Sequence, residues 1–254
     1  MRIIVVISEM LVFAPSLLFL LHTMFKHLGS KTILVIWFTI LNLPPALFVD
    51  HGHYQFNQVM HGFVLLGIAF MIRQQLTFAV IAMVLAVNFK QTALYFALPF
   101  VIHAISILRI KSKSPNVAIE VDRVLYGVLW LGLVFLLTNL VLWTPWLISR
   151  DESGLFLDWD SASQVLQRIF PIRRGIFEDK VASFWCVLHY LTPLKVNTML
   201  ERSTQFQMTM GTTLLLCIPA SYYLWKAPTT KQFLLSLFCV SMIFFMFGFQ
   251  VHEK

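Results

Sequence analysis

Charged side chains are scarce in this sequence: 12% of its 254 residues are Asp, Glu, Lys or Arg, whereas 58% are hydrophobic. This scarcity excludes a soluble globular domain, which needs more charge on its surface. Cysteine is scarce as well, and Cys186, Cys217 and Cys239 lie far apart. Their spacing excludes a disulfide framework and a cysteine-rich metal site. We therefore expect an all-α polytopic membrane protein.

A cleavage site of small residues is also lacking after the apolar N-terminal run, which continues past Pro15. We interpret this run as a membrane span and not as a signal peptide. A helix needs about 20 apolar residues to cross the hydrocarbon. The sequence predicts eight such spans, of which the third and fourth are short: Ile3–Leu21, Lys31–Val49, Val59–Ile72, Leu76–Phe89, Thr92–Leu108, Val124–Ile148, Gln207–Trp225 and Gln232–Val251. Pro44 and Pro45 are expected to kink the second helix or end it early.

Lysine and arginine are concentrated in alternate short loops, which predicts the orientation of the spans. One set of loops carries Lys26, Lys31, Arg73, Arg109, Lys111, Lys113, Arg123, Lys226 and Lys231, and we assign it to the cytoplasm. The other set has only Lys90 in its short turns. Residues 50–57, the long loop of about 149–206 and residues 252–254 should then share the opposite face. Because the net charge of +7 resides in these loops, we do not expect nucleic acid as a partner.

The first polar cluster on that opposite face lies between two apolar runs and contains Asp50, His51, His53, Gln55 and Asn57, with Tyr54 among them. Such side chains pair with the hydroxyl groups of a sugar, and Tyr54 could stack on a sugar face. Two alternatives remain open. Asp50, His51 and His53 could ligate a metal, or the cluster could simply hydrogen-bond at a helix end.

The long loop carries the second cluster. Ser161 and Gln164 have the spacing of a capping box, and they predict a short amphipathic helix near Ser161–Phe170 that lies in the membrane interface. Arg173 and Arg174 follow, and their guanidinium groups are suited to a phosphate at the membrane surface. The alternatives are attraction to lipid headgroups or salt bridges with Glu178 and Asp179.

Five polar residues lie in or beside the spans. Glu9, inside the first span, is a functional candidate by default, although helix packing with a polar partner is the alternative. His103 and Asn88 are expected to be satisfied structural groups. Lys90 and Gln91, in an outer turn, could contact a ligand.

Three motifs carry a family resemblance: DHGHYQFN at 50–57, RIFPIRRGIFEDKVASFWC at 168–186 and FQVHEK at 249–254. Together they closely resemble the dolichyl-phosphate-glucose-dependent α-1,3-glucosyltransferases of the endoplasmic reticulum, and the resemblance covers essentially the whole chain. IFEDKVASFWC is similar to the run in the family members that add the first glucose to the lipid-linked N-glycan precursor.

The resemblance implies a C-type membrane glycosyltransferase fold with its active face in the lumen of the endoplasmic reticulum. It implies inverting transfer of glucose from dolichyl-phosphate-glucose to a terminal mannose of the dolichol-linked oligosaccharide, without a metal or other cofactor. The residues that match fall into two groups. The donor phosphate would meet Arg173, Arg174, His252 and Lys254, and the sugar or acceptor would meet Asp50, His51, His53, Gln55, Asn57, Glu178, Asp179 and Lys180.

The resemblance also predicts what these residues lack. The family's presumed catalytic base lies in a first lumenal loop, and neither that loop, the span before it nor the family's C-terminal spans have counterparts here. We therefore expect residues 1–254 to be a partial glycosyltransferase domain that is inactive alone. If these residues transfer glucose by themselves, Asp50, Glu178 and Asp179 are the candidate bases.

Three alternative interpretations of the function remain: the related enzyme that adds the second glucose, an inactive truncated isoform, and a secondary transporter with the histidine-rich cluster as its site. The transporter is disfavoured because the sequence shows no inverted repeat and its charges gather on one face.

Overall fold

The computed structural model describes residues 2–44, 48, 56–113, 117–151, 154–169, 183–191 and 201–248. Within these ranges the chain is mainly helical. The elements in chain order are α1 (Arg2–Met24), α2 (Ser30–Leu41), α3 (Asn57–Ile72), α4 (Leu76–Phe89), α5 (Leu94–Ser112), α6 (Val117–Leu147), β1 (Ile148–Asp151), β2 (Gly154–Leu157), α7 (Trp159–Ile169), α8 (Phe184–Leu191), α9 (Arg202–Lys226) and α10 (Thr230–Phe247).

Each of the eight predicted spans corresponds to a helix, but in the described chain only four helices are long and apolar enough to cross a membrane. These are Ile3–Met24, Gln91–Ser112, Val117–Leu147 and Thr230–Phe247. The helices α2, α3 and α4 have 12, 16 and 14 residues, so they are shorter than the helices that qualify as membrane spans. Helix α9 is long but opens with a polar run that includes Gln205, Gln207 and Thr209. The expectation of eight spans is therefore not confirmed.

The chain forms two compact units, and the first comprises Met1–Leu94 and Ile107–Val165. In it, α1 and α3 run parallel, because Phe13 lies beside Gly62 and the Phe19 ring lies 5.5 Å from that of Phe70. A Cβ atom on Gly62 would lie 2.8 Å from the Cα of Phe13, so the two backbones are in direct contact. The Nε1 group of Trp37, on α2, donates a 2.7 Å hydrogen bond to the Ala14 carbonyl.

Helices α3 and α4 form a tight antiparallel hairpin. Its turn contains Gln74 with a φ of 57°, a left-handed conformation that lets the chain reverse within a few residues. Helix α6 then runs parallel to α4, since Trp130 bonds to Thr77 near the start of α4 and Asn139 bonds to Asn88 near its end. The end of α6, the end of α4 and the start of α3 therefore lie at one end of this unit.

The helical fold agrees with the predicted all-α membrane protein, and a small β-hairpin that the sequence did not predict follows α6. Strands β1 and β2 pair antiparallel, with Ile148 opposite Leu157 and Asp151 opposite Gly154. The amide of Asp158 then donates a 2.9 Å hydrogen bond to the Leu147 carbonyl, which returns the chain to the end of α6.

Helix α7 begins close to where an amphipathic helix was predicted, at Trp159. Its cap is Asp158, whose carboxylate accepts hydrogen bonds from the Ser161 amide at 2.9 Å and the Ser161 hydroxyl at 2.8 Å. The prediction that Ser161 caps this helix is therefore wrong, because Ser161 lies in its first turn. Trp159 and Leu166 lie seven residues apart, on one face, and both are exposed.

The second unit comprises Tyr95–Ser106 and Leu166–Lys254. Helices α9 and α10 form a hairpin in which the Ser236 hydroxyl donates a 3.0 Å hydrogen bond to the Ala220 carbonyl. The central part of α5 runs antiparallel to α10, because Tyr95 stacks on Phe244 whereas Phe100 packs against Phe233. The buried face of α9 carries Thr209, Thr213 and Cys217.

Candidate functional site

The first polar group lies at the end of the first unit where α3 begins and α4 ends. Asn57, the last residue of the DHGHYQFN motif, is the first residue of α3, and Lys90 follows α4 directly. The ammonium group of Lys90 donates a 2.5 Å hydrogen bond to the side-chain oxygen of Asn57. The turn predicted to contact a ligand is thus brought to the motif predicted to bind a sugar, through a contact 33 residues apart in sequence.

Behind this pair, Asn88 links α4 to α6. Its Nδ2 group donates to the side-chain oxygen of Asn139 at 2.9 Å, and its Oδ1 atom accepts from Nε1 of Trp143 at 2.7 Å. Asn88 also donates to the Val84 carbonyl, so both ends of its amide are used. The prediction that Asn88 is a satisfied structural group is confirmed, and its network fixes α6 beside the Asn57 end of α3.

In the second unit, a residue of the 168–186 motif contacts the end of α10. Trp185, in the RIFPIRRGIFEDKVASFWC motif, donates a 2.8 Å hydrogen bond to the carbonyl of Phe247, two residues before the FQVHEK motif. The Phe184 ring lies 5.0 Å from that of Phe247, and Trp185 is buried at 4% exposure. Trp185 is therefore tied to the end of α10, 62 positions along the chain.

His103 and Ser106 are two buried polar residues in the interior of the second unit. The His103 ring stacks on Phe233 at 4.3 Å and 9°, but its Nδ1 atom has no hydrogen-bond partner among the described residues. Within the same part of the chain the hydroxyl of Ser106, one turn along α5, has none either. For the Nδ1 atom, the prediction that His103 is a hydrogen-bonded structural group is therefore wrong. The His103 ring is positioned by its stacking on Phe233.

Glu9 is also buried, at 1% exposure. It lies one turn before Phe13, the residue in contact with Gly62, so it belongs to the interface of α1 with α3. This burial is compatible with both predicted roles of Glu9, a functional role and helix packing.

Most of the predicted site residues lie outside the described part of the chain, so their placement stays a prediction; only Asn57 is described. The others are Asp50, His51, His53, Gln55, Arg173, Arg174, Glu178, Asp179, Lys180, His252 and Lys254.

Sequence reasoning missed Trp185 and the Asn139–Trp143 pair as parts of the framework. A usable signal existed for the pair, because an amide and an indole four residues apart on an apolar helix share one face.

These features define a class of protein: a helical membrane protein. Comparison with known proteins makes the assignment narrower. The model of the ALG6, ALG8 glycosyltransferase family matches residues 1–254. The chain belongs to this family, which confirms the resemblance drawn from the three motifs.

Curated relatives match the chain over its whole length. A Drosophila melanogaster protein named probable dolichyl pyrophosphate Man9GlcNAc2 alpha-1,3-glucosyltransferase is 32% identical over 254 residues, which are 100% of this chain and 50% of the fly protein. The Mus musculus dolichyl pyrophosphate Man9GlcNAc2 alpha-1,3-glucosyltransferase is 32% identical over 255 residues, which cover 100% of this chain and 46% of the mouse protein. A Schizosaccharomyces pombe relative with the same name as the fly protein is 30% identical over 260 residues, or 47% of its length. The chain therefore spans about half the length of the curated relatives it matches.

Proposed function

We propose that this chain takes part in the transfer of glucose from dolichyl-phosphate-glucose to a terminal mannose of the dolichol-linked oligosaccharide, in the membrane of the endoplasmic reticulum. The observation that carries this proposal is the family match over residues 1–254. The names of the relatives favour an acceptor that carries nine mannoses and no glucose. The Glu178-Asp179-Lys180 run favours the same acceptor over the related enzyme that adds the second glucose.

The chemistry of the transfer sets what the protein must supply. The family resemblance implies a β-linked donor and an α-linked product, so the anomeric centre inverts in one in-line displacement. A carboxylate removes the proton from the acceptor hydroxyl while the phosphate departs, and fixed cations or donors stabilise the charge that develops on that phosphate. The base is expected in a family loop that has no counterpart in these residues.

For the departing phosphate we propose Arg173, Arg174, His252 and Lys254. The hydrogen bond from Trp185 to the Phe247 carbonyl supports this grouping, because it ties the flanks of both motifs to one end of α10. A polyprenyl phosphate keeps its tail in the hydrocarbon and its charge at the interface. Its phosphate must therefore meet protein at the depth of helix ends such as this one.

For the sugars we propose a second set of groups, of which Asn57 at the start of α3 has a described hydrogen bond to Lys90. The hydrogen-bonding capacity of these side chains matches that of hydroxyl groups. The set is Asp50, His51, His53, Gln55, Asn57, Glu178, Asp179 and Lys180.

The proposed topology has eight spans, with the motifs in the lumen and α7 in the membrane interface. The exposed apolar residues Trp159 and Leu166 on one face of α7 support the interfacial location. Cysteine-accessibility labelling in sealed microsomes tests the topology. A cysteine at Gln58 should be labelled from the lumenal side and one at Ser114 from the cytoplasmic side. Labelling of both from the same side would contradict the assignment.

A graft tests the activity. Residues 1–254 replace the matching 255-residue segment of the mouse relative, and the chimera is assayed in microsomes without their own first-glucose activity. We expect glucose to be transferred to the unglucosylated nine-mannose acceptor. Transfer only to an acceptor that already carries one glucose would favour the second-glucose enzyme, and a chimera that inserts correctly but transfers nothing would contradict the proposal.

Within this graft, Arg174→Ala should lower the transfer rate about 10- to 100-fold, which is the effect of losing one charge-assisted contact. Arg174→Lys should retain more activity, because it keeps the charge but loses the planar fork. Arg150→Ala, in the same long loop but outside the motif, is the matched control. If Arg173→Ala, Arg174→Ala and the double variant all transfer at the parental rate, the phosphate is held elsewhere.

A further inference from the structure

Arg73 lies at the end of the first unit that is opposite Asn57. It is the first residue after α3, and it is exposed. Its guanidinium carbon lies 4.9 Å from the centroid of the Phe19 ring, a distance at which the ring face attracts a cation. Among the described residues, no carboxylate pairs with this arginine. The side chain is therefore positioned by an aromatic ring.

A row of aromatic rings continues from Arg73 along the helices. The Phe19 ring lies 5.5 Å from that of Phe70, which lies 5.4 Å from that of Phe78. Phe78 is 54% exposed. In the proposed topology α3 and α4 cross the membrane, so Arg73 lies at the depth of the lipid headgroups and Phe78 faces the acyl chains. A cation beside an exposed apolar surface matches the two parts of a phospholipid, its phosphate and its chains.

The described acidic residues at this end of the unit lie farther out than Arg73. Glu120 and Asp122 are close to the start of α6, and Trp130 of the same helix bonds to Thr77 near the start of α4. The two carboxylates therefore lie about 12–15 Å beyond Thr77 along the axis of α6. Because Arg73 precedes Thr77 by one short turn of the chain, they project beyond the level at which it meets the lipid.

Orientation alone does not account for Arg73. A lysine would serve the positive-inside rule equally well, and Lys31 lies in the first turn of α2 at the same end. Arginine differs in its planar group, which packs on an aromatic face and binds two phosphate oxygens at once. A ring face accepts no conventional hydrogen bond, so the N–H donors of Arg73 can bond to those oxygens.

We propose that Arg73, packed on Phe19, binds the phosphate of an acidic phospholipid whose acyl chains lie against Phe70 and Phe78. The depth of Arg73 rests on the proposed topology, but this site needs no sugar substrate. An acidic headgroup is favoured because a zwitterionic lipid such as phosphatidylcholine carries a cation of its own beside the phosphate, which repels the guanidinium group.

Native mass spectrometry of the purified 254-residue chain tests this inference. The probes are phosphatidylinositol, phosphatidylcholine with the same acyl chains, and glycerophosphoinositol, which is the headgroup without chains. We expect Arg73→Gln to raise the Kd for phosphatidylinositol about 10-fold, the effect of losing one charge-assisted contact. Arg73→Lys should lie between the parent and Arg73→Gln, because it keeps the charge but loses the planar fork.

Two further variants separate the ring from the charge. Phe19→Leu removes the ring face that positions the guanidinium group and should raise the Kd for phosphatidylinositol about two- to fivefold. Lys31→Gln is the matched control, because it removes one positive charge at the same end of the unit. It should stay within about twofold of the parent.

Weaker phosphatidylinositol binding in Arg73→Gln, with Lys31→Gln unchanged, supports the inference. An equal loss in Lys31→Gln overturns it in favour of general charge attraction, and unchanged binding in Arg73→Gln overturns it as well. Equal weakening of phosphatidylcholine binding overturns the acidic headgroup, and glycerophosphoinositol binding as tight as that of the lipid overturns the phospholipid as the ligand. Because no sugar transfer is measured, failure of the graft assay would contradict the proposed function and leave this result standing.

Discussion

The two units hold their helices together by different means. In the first unit, side chains bond to one another across helices: Lys90 to Asn57, Trp130 to Thr77, and Asn88 to Asn139 and Trp143. Among the described residues of the second unit, the buried hydroxyl groups of Thr209, Thr213 and Ser241 bond within their own helices, and that of Ser236 bonds across to α9. Aromatic rings fill the contact of α5 with α10. Directional bonds set the register of helices, whereas aromatic packing fills volume, so the first unit should tolerate polar substitutions less well than the second.

Gly62 lies where α1 and α3 are in direct contact, so it tests the register of the helices in the first unit. Gly62→Ala should lower the stability of the protein more than the other substitutions below. The new Cβ atom would lie 2.8 Å from the Phe13 Cα atom, and a backbone atom cannot move aside as a flexible side chain can. Forcing α1 from α3 should destabilise the protein by about 1–3 kcal/mol, measured by thermal unfolding in detergent. Gly132→Ala, which meets nothing within 4 Å, is the control and should be no less stable than the parent.

Asn88→Leu should have the next largest effect and lower the free energy of unfolding by about 1–2 kcal/mol. It leaves the Trp143 indole and the Asn139 amide oxygen without the bonds that Asn88 supplies. Unfolding of the single variants and of Asn88→Leu combined with Trp143→Phe would measure their coupling. The double variant should lose less than the sum of the two, and strict additivity would show that the network does not act as a unit.

His103→Phe tests the opposite expectation in the second unit. The phenyl ring can keep the stack on Phe233 and replaces a buried nitrogen that has no hydrogen-bond partner in the described ranges of the chain. Stability should rise by up to about 1 kcal/mol or stay unchanged. A clear loss of stability would mean that His103 makes a polar interaction that matters to the fold.

Thr213→Val should have the smallest effect, within about 0.5 kcal/mol of the parent. The Thr213 hydroxyl is buried but donates only to the Thr209 carbonyl of its own helix, at 2.7 Å, and valine has nearly the same shape. Comparison with Asn88→Leu in the same unfolding assay tests the contrast directly. If both variants lose equal stability, the two units do not differ in the way described.

The helices were predictable where an apolar run is bounded by polar residues on both sides. Helix α4 was predicted with its observed bounds, Leu76–Phe89, because Gln75 and Lys90 flank it. Helix α2 was predicted too long, to Val49, but ends at Leu41, three residues before the prolines that cannot continue it. The start of α7 was misplaced because Asp158, Asp160 and Ser161 are all residue types that can cap a helix. The hydrogen bond from the Asp158 amide to the Leu147 carbonyl holds Asp158 at the position where the helix begins.

The candidate site was predictable by residue type but not by pairing. Asn57 was identified from its motif, whereas its contact with Lys90 depends on how far α4 runs back along α3, which the turn at Gln74 determines. The contact of Trp185 was also missed. Its partner is the backbone carbonyl of Phe247, and a pattern of side chains does not reveal a backbone partner. Contacts between distant residues follow from helix direction and length, which composition does not encode.

The shortness of the α3–α4 hairpin has a consequence for the lipid around it. At 1.5 Å per residue, helices of 16 and 14 residues are about 24 and 21 Å long, whereas the hydrocarbon core is about 30 Å thick. If both helices span the membrane as proposed, thinning of the bilayer next to the hairpin is one way to relieve this mismatch. Such thinning would draw the lipid headgroups toward the membrane centre, and so toward the end of the hairpin where Asn57 begins α3.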